Sequence, residues 1–286
     1  MGDRPVSSNG VSATAALFDL RGRVAVITGG AGMLGVKHAE AIADMGGIPV
    51  LWDVRADRLA TARQALEKTY GAPVGAVEVD IADAERVAAA TARTLADFGR
   101  IDILVNNAAM TVESDGGNTA YFAPFEEYDP RLWRRALDVT LTGAFLCTQA
   151  AGRAMVEAGR GVVLNIGSDV GVISPDHRIY HADGDYPGTT FNTPASYATV
   201  KAGLIHLTRY LATYWAPKGI RVNALSPAGV YNDHDERFVQ RLTRLIPLGR
   251  MATKDEYKGA VVFLVSDASA FLTGFNLVMD GGRTAW

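Results

Sequence analysis

Arg23-Val24-Ala25-Val26-Ile27-Thr28-Gly29-Gly30-Ala31-Gly32-Met33-Leu34-Gly35 reads as a strand, a glycine turn and the opening of a helix. Residues 23–28 form a short β-branched run, as expected of a buried parallel strand. The glycines follow at once, and a helical pattern opens behind them. Strand, glycine turn and helix present free backbone N–H groups and a positive helix end to a phosphate. Glycine suits the turn because a side chain would block close approach of a pyrophosphate. A second strand, 48–52, ends in Asp53, 21 residues after Gly32. A carboxylate there can accept both hydroxyls of an adenosine ribose and repels a 2′-phosphate. Together these features point to a dinucleotide site for NAD rather than a merely structural turn.

The same alternation runs on along the chain. Strands are expected at 74–79, 101–105, 162–166, 220–225 and 275–279, with helices at 82–98, 130–158, 233–245 and 254–265. Seven strands alternating with helices imply an α/β fold, a Rossmann-type doubly wound parallel sheet in a single domain over residues 17–286. Ligands then lie at the carboxyl ends of the strands, and Gly29, Asp53, Asp80, Asn107, Ser168 and Val230 all fall just past strand ends. Residues 1–16, with scattered Gly, Ser, Asn and Thr, read as a flexible leader.

Composition narrows the function. The net charge is −3 with signs mixed along the chain, so no basic stripe points to nucleic acid. The single cysteine, Cys147, excludes a disulfide framework and fits a reducing cytoplasm. No apolar run approaches the roughly 20 residues of a membrane span. His177, His181, Asp183 and Asp185 cluster without a standard ligand spacing, so no metal is expected.

Ser196-Tyr197-Ala198-Thr199-Val200-Lys201 supplies the chemistry. Val200, Leu204, Leu207 and Leu211 make one apolar helical stripe, so Tyr197 and Lys201, four apart, share a face. A free tyrosine titrates near pH ~10, and a neighbouring ammonium stabilises the phenolate. Such a tyrosine can exchange a proton with an alcohol or a carbonyl.

From Phe18 to the C-terminus the chain resembles the short-chain dehydrogenase/reductase family. The matching motifs are 28–35, Asp80, Asn106-Asn107-Ala108, Ser168, Tyr197 with Lys201, the Pro227 turn and Asp280-Gly281-Gly282. The resemblance implies that Gly29, Gly32, Leu34 and Gly35 surround the pyrophosphate of NAD. It places Asp53 at the adenosine ribose and Asp80 with Ile81 at the adenine. Asn107 and Ala108 would lie along the cofactor, and Pro227 and Val230 against the nicotinamide. Tyr197 would exchange the proton, Ser168 would hold the substrate oxygen, and Lys201 would serve both Tyr197 and the nicotinamide ribose. Homotetramers or dimers built on the long helices and the C-terminal segment are further implied.

Four departures stand out. Met33 replaces the usual middle glycine, a spacing like that of the family's extended branch, which handles nucleotide sugars; Ala109 and Ala228 each replace a glycine. Thr140 occupies the place of the family's active-site asparagine and is expected to hold a water for the catalytic lysine. Two segments, 111–128 and 169–196, are longer than the family requires. The polar, aromatic stretch 176–186 is expected to form a loop over the substrate. The function so expected is an NAD(H)-dependent oxidoreductase interconverting a secondary alcohol and a ketone on a polar substrate, a sugar or activated sugar. The alternative is an NAD(H)-binding sensor or scaffold with little catalysis.

Overall fold

The computed structural model describes residues 12–111, 119–180 and 191–286. Seven strands form one parallel sheet: β1 (Val24–Thr28), β2 (Ile48–Asp53), β3 (Gly75–Glu78), β4 (Ile103–Asn106), β5 (Gly161–Ile166), β6 (Ile220–Pro227) and β7 (Asn276–Met279). Their order across the sheet is β3-β2-β1-β4-β5-β6-β7. The helices, in chain order, are α1 (Ala13–Ala16), α2 (Met33–Asp44), α3 (Ala56–Tyr70), α4 (Ala84–Phe98), α5 (Pro130–Ala136), α6 (Gly143–Ala158), α7 (Ala195–Trp215), α8 (Glu236–Thr243) and α9 (Lys258–Val265).

Both faces of the sheet are covered, which is why its strands read as continuous apolar runs rather than alternating ones. Side chains of period two split between two cores. Ala25 and Ile27 pack with Ala39 and Ile42 of α2 and Val261 and Leu264 of α9. Val24 and Val26 pack on the other face with Val87 and Ala90 of α4, Cys147 and Ala151 of α6, and Trp215 of α7. Burial pushes the Cys147 thiol up to about 12, so it stays a thiol and acts as a small apolar filler.

Two expectations change. Residues 1–11 of the expected leader lie outside the described residues, and its end forms a helical turn, α1, which Ser12 caps by accepting from Ala15 N–H at 3.3 Å. The expected helix over 130–158 is interrupted by a π-helical segment, Leu137–Thr142, where the N–H of Gly143 bonds to the carbonyl of Asp138. Such insertions widen a helix by one residue and occur often at functional sites.

Candidate active site

The strand order reverses between β1 and β4, and a crevice opens there beyond the carboxyl ends of the strands. A cavity of about 840 Å³ occupies it, running from the glycine loop to α8. Such a volume accommodates a dinucleotide tail and a small substrate. Of the residues expected at the site, Gly29, Gly32, Leu34, Asp53, Asp80, Ile81, Asn107 and Ala108 line its cofactor end. Ser168, Tyr197, Lys201, Pro227 and Val230 line the other end. Gly35 and Thr140 do not line it.

The glycine loop is shaped by close approach. Gly29 has φ +60, and a Cβ on it would lie 2.9 Å from the Cα of Ala108. A Cβ on Gly35 would lie 2.1 Å from the carbonyl oxygen of Gly29, so Gly35 acts by letting α2 sit on the loop rather than by facing a ligand. Gly32 is the N-cap of α2 and has no side chain to bond the first-turn N–H groups, which leaves those donors for an anion. Thr28 Oγ1 accepts from the N–H of Asn107 at 3.0 Å and of Ala108 at 3.1 Å, tying β4 to the loop. The Asn107 amide returns two bonds, to the carbonyls of Thr28 (3.0 Å) and Gly29 (3.2 Å).

Asp53 is buried at the end of β2, where its carboxylate accepts from the N–H of Ala31 at 3.1 Å and of Arg55 at 3.0 Å. The Arg55 guanidinium stands 3.7 Å from the same carboxylate. Asp80 accepts from the N–H of Ala82 at 3.0 Å, while the cap of α4 is Asp83. Behind the loop lies His38 of α2, fully buried, with the Asn107 side chain as its polar neighbour. Burial lowers its proton affinity to about 4, so the ring is neutral at pH 7.

At the catalytic end, Ser168 leaves β5 in an extended conformation and Tyr197 and Lys201 project from the first turns of α7. The Lys201 ammonium is buried, donates to the carbonyl of Ile166 at 2.6 Å, and lies 5.7 Å from the centre of the Tyr197 ring. Burial pulls its pKa down to about 8. On balance the Tyr197 phenol is not lowered here. Burial raises the Tyr197 phenol above its usual range, the Ser168 hydroxyl opposes this by hydrogen bonding, and the Asp169 carboxylate adds to the rise.

Thr140 is buried, and its hydroxyl accepts from the N–H of Met110 at 3.1 Å. It therefore braces the chain after β4 from behind the cavity. The stretch 176–186 is described as far as Tyr180, and His181, Asp183 and Asp185 lie outside the described residues. Within the described part, Asp176 and Arg178 pair with each other at 2.7 Å at the surface rather than facing a ligand. Tyr180 does line the cavity and stacks on Phe238 with ring centres 5.6 Å apart, giving that wall an aromatic face.

Two lining residues escape sequence reasoning. Asp169 follows Ser168 and accepts from its hydroxyl at 3.0 Å; Arg283 reaches Asp169 from the C-terminal tail at 2.6 Å. No local pattern links positions 114 apart.

The donors and shapes at the cofactor end fit a nicotinamide dinucleotide: an unobstructed helix start for phosphates, a strand-end carboxylate for a ribose, and a cradle that any Cβ on Gly29 would fill. Comparisons agree. Residues 23–182 match the family described as short chain dehydrogenase, and residues 188–284 the one described as enoyl-(acyl carrier protein) reductase. D-threitol dehydrogenase of Mycolicibacterium smegmatis is 36% identical over 93% of this chain and 95% of its own. Galactitol 2-dehydrogenase of Rhizobium johnstonii is 35% identical over 94% and 98%. The crystal structure of an NAD+-bound xylitol dehydrogenase is 28% identical, covers 92% of this chain and 99% of its own, and superposes with a TM-score of 0.80. The chain thus belongs to the short-chain dehydrogenase/reductase family, as an oxidoreductase of CH–OH groups that depends on a nicotinamide dinucleotide.

Proposed function

We propose that the protein is an NAD(H)-dependent dehydrogenase that interconverts one secondary alcohol of a neutral, open-chain polyol with the corresponding ketone. The observation that carries this is the convergence of Ser168, Tyr197 and Lys201 at one end of a cavity whose other end is the glycine loop and Asp53. The sugar-alcohol dehydrogenases to which the chain is similar support the substrate class.

Gly29, Gly32 and Leu34 would hold the pyrophosphate, Asp53 the adenosine ribose, Asp80 and Ile81 the adenine, and Asn107, Ala108, Lys201, Pro227 and Val230 the nicotinamide half. The bound dinucleotide supplies the two-electron acceptor or donor. The residues supply the rest. Ser168 holds the reacting oxygen. Tyr197 is kept as the phenol by burial, so in the reducing direction it is poised to give its proton to that oxygen. In the oxidising direction the phenol must first lose that proton, and alkaline pH favours the step. Lys201 keeps a cation beside the ring and fixes the start of α7 to the end of β5. A purely binding role has no use for a lysine buried against its own proton affinity.

The protein is further read as a cytoplasmic homo-oligomer. Supporting this, Phe145 of α6 and Tyr210 of α7 stand exposed beside an apolar hollow between those helices, and Phe271 and Trp286 stand exposed near the C-terminus. Light scattering reads the oligomer. Purified protein incubated with NAD and D-threitol, xylitol, galactitol and glycerol tests the activity: NADH absorbance should rise with at least one tetritol, pentitol or hexitol. Turnover confined to hydrophobic alcohols refutes the polyol reading.

A further inference from the structure

We propose that Arg283 and Asp169 form a subsite for the hydroxyl on the carbon next to the reacting one, which makes a neutral vicinal diol the unit this enzyme selects. The inference rests on the polyol reading above and specifies which part of the polyol is read.

The pair is built into the site. Both side chains line the cavity, and both are nearly inaccessible, at 7% and 4% exposure. The Arg283 guanidinium donates through Nη1 to Asp169 Oδ2 at 2.6 Å. The other carboxylate oxygen, Oδ1, accepts from Ser168 Oγ at 3.0 Å and from the N–H of Val170 at 2.8 Å. Asp169 is thereby well supplied with donors, whereas Arg283 is not: a guanidinium carries five N–H donors, and among the described residues only Nη1 has a hydrogen-bond partner, with Nε sealed from the cavity and Nη2 left for a ligand. A buried ion pair is tolerated when further hydrogen bonds complete it. A ligand oxygen arriving from the cavity would complete this one.

Position selects the occupant. Ser168 holds the reacting oxygen and already touches Asp169, so the pair lies one hydrogen bond farther along the cavity. The oxygen on the adjacent carbon of a diol falls there; an isolated alcohol has nothing to place. Charge selects it too. Arg283 is neutralised by Asp169, and the described cavity wall balances Arg55, Arg135, Lys201 and Arg283 against Asp53, Asp80, Asp138 and Asp169. A carboxylate placed on this pair would meet the Asp169 charge, whereas a hydroxyl both accepts from Arg283 and donates to Asp169. The tail that carries Arg283 is itself fixed, because Asp280 accepts from the N–H of Gly282 at 2.9 Å and of Thr284 at 2.6 Å.

The test compares butane-2,3-diol with butan-2-ol, which share a carbon skeleton and differ by the one hydroxyl. Wild-type protein should show kcat/KM for the diol above that for the mono-alcohol by on the order of tenfold or more. Arg283→Lys keeps the cation and loses the planar fork, so the diol-to-mono-alcohol ratio should fall toward one; Arg283→Met should do the same with lower rates on both. Thermal melting and NADH fluorescence titration check that each variant is folded and binds cofactor. A folded Arg283→Lys variant that keeps the wild-type ratio overturns the inference, for the pair then merely ties the tail to the site. Higher kcat/KM for gluconate than for xylitol overturns its neutral-substrate part. Wild-type protein that oxidises no secondary alcohol at all overturns the polyol reading itself, which separates the two failures.

Discussion

The ammonium of Lys201, on α7, donates to the main-chain carbonyl of Ile166, the last residue of β5, at 2.6 Å. This bond pins α7, which carries Tyr197, to the strand that leads into Ser168. It does so at a cost, because burial lowers the lysine from its ordinary 10.5 to about 8. The unfolded chain therefore binds more protons between those values, so the stability penalty is full below pH 8 and fades as pH rises to 10.5. Its size is on the order of 3 kcal/mol, and deleting the ammonium also leaves the Ile166 carbonyl unpaired at about 1–3 kcal/mol. Lys201→Met should abolish turnover yet melt at or above the wild-type temperature at pH 7, with that relative gain shrinking toward pH 10. A melting difference that stays constant from pH 7 to 10 contradicts the assignment.

Tyr197→Phe removes one hydroxyl and little volume. Oxidation and reduction should both fall by at least ~10²-fold, while NADH binding by fluorescence titration stays close to wild type. Because the phenol is raised by burial and by the Asp169 charge, wild-type oxidation should still be climbing above pH 8, whereas reduction should be flat or falling there. A pH–rate profile for oxidation that levels off below pH 7 would falsify this.

Asp53 holds the glycine loop through the N–H of Ala31 and lines the cavity, where the proposal gives it the adenosine ribose. Asp53→Asn should therefore weaken NADH binding and narrow its preference over NADPH, since one amide cannot accept two ribose hydroxyls and no longer repels a phosphate. Arg55, 3.7 Å from the carboxylate, is freed to meet a 2′-phosphate in that variant. Equal or tighter wild-type binding of NADPH than NADH would overturn the assignment of Asp53.

Thr140 accepts from the N–H of Met110, both of them buried. Thr140→Val keeps the shape and orphans that donor, so it should lower stability by about 1–3 kcal/mol in urea unfolding. Its effect on kcat should be smaller than that of Tyr197→Phe or Lys201→Met. A kcat loss matching Tyr197→Phe at unchanged stability would return Thr140 to the proton relay.

Much of this is legible in the sequence. The seven strands show because a sheet covered on both faces needs β-branched runs such as 24–28, and most residues expected at the site line one cavity because they lie at or just past strand ends. The π segment at 137–142 did not show, since one inserted residue leaves the apolar pattern of a long helix nearly intact. Arg283 was hidden by distance along the chain. The proton affinity of Tyr197 was misjudged because spacing reports that Lys201 is near but not that the phenol is buried. The aromatic wall was missed for a related reason: Tyr180 is paired across the fold with Phe238, 58 positions on.

His38 offers a case where the fold carries a group that works against it. Its ring is buried behind the glycine loop beside Asn107, and burial lowers its pKa from 6.5 to about 4 against the opposing pull of that neighbour. Below pH 6.5 the unfolded chain takes up a proton that the folded chain refuses until about pH 4. Stability is thus lost as pH falls through that window, by on the order of 3 kcal/mol in full. Replacing the ring with leucine, of similar volume, removes the buried polar nitrogens and the acid sensitivity. His38→Leu should raise the urea midpoint modestly at pH 7.5 and by clearly more at pH 5. The variant also removes the imidazole beside Asn107, and NADH titration reads any effect on cofactor affinity separately. The same stability gain at both pH values would show that His38 is not the group that titrates, and a loss at both would show that the imidazole is bonded after all.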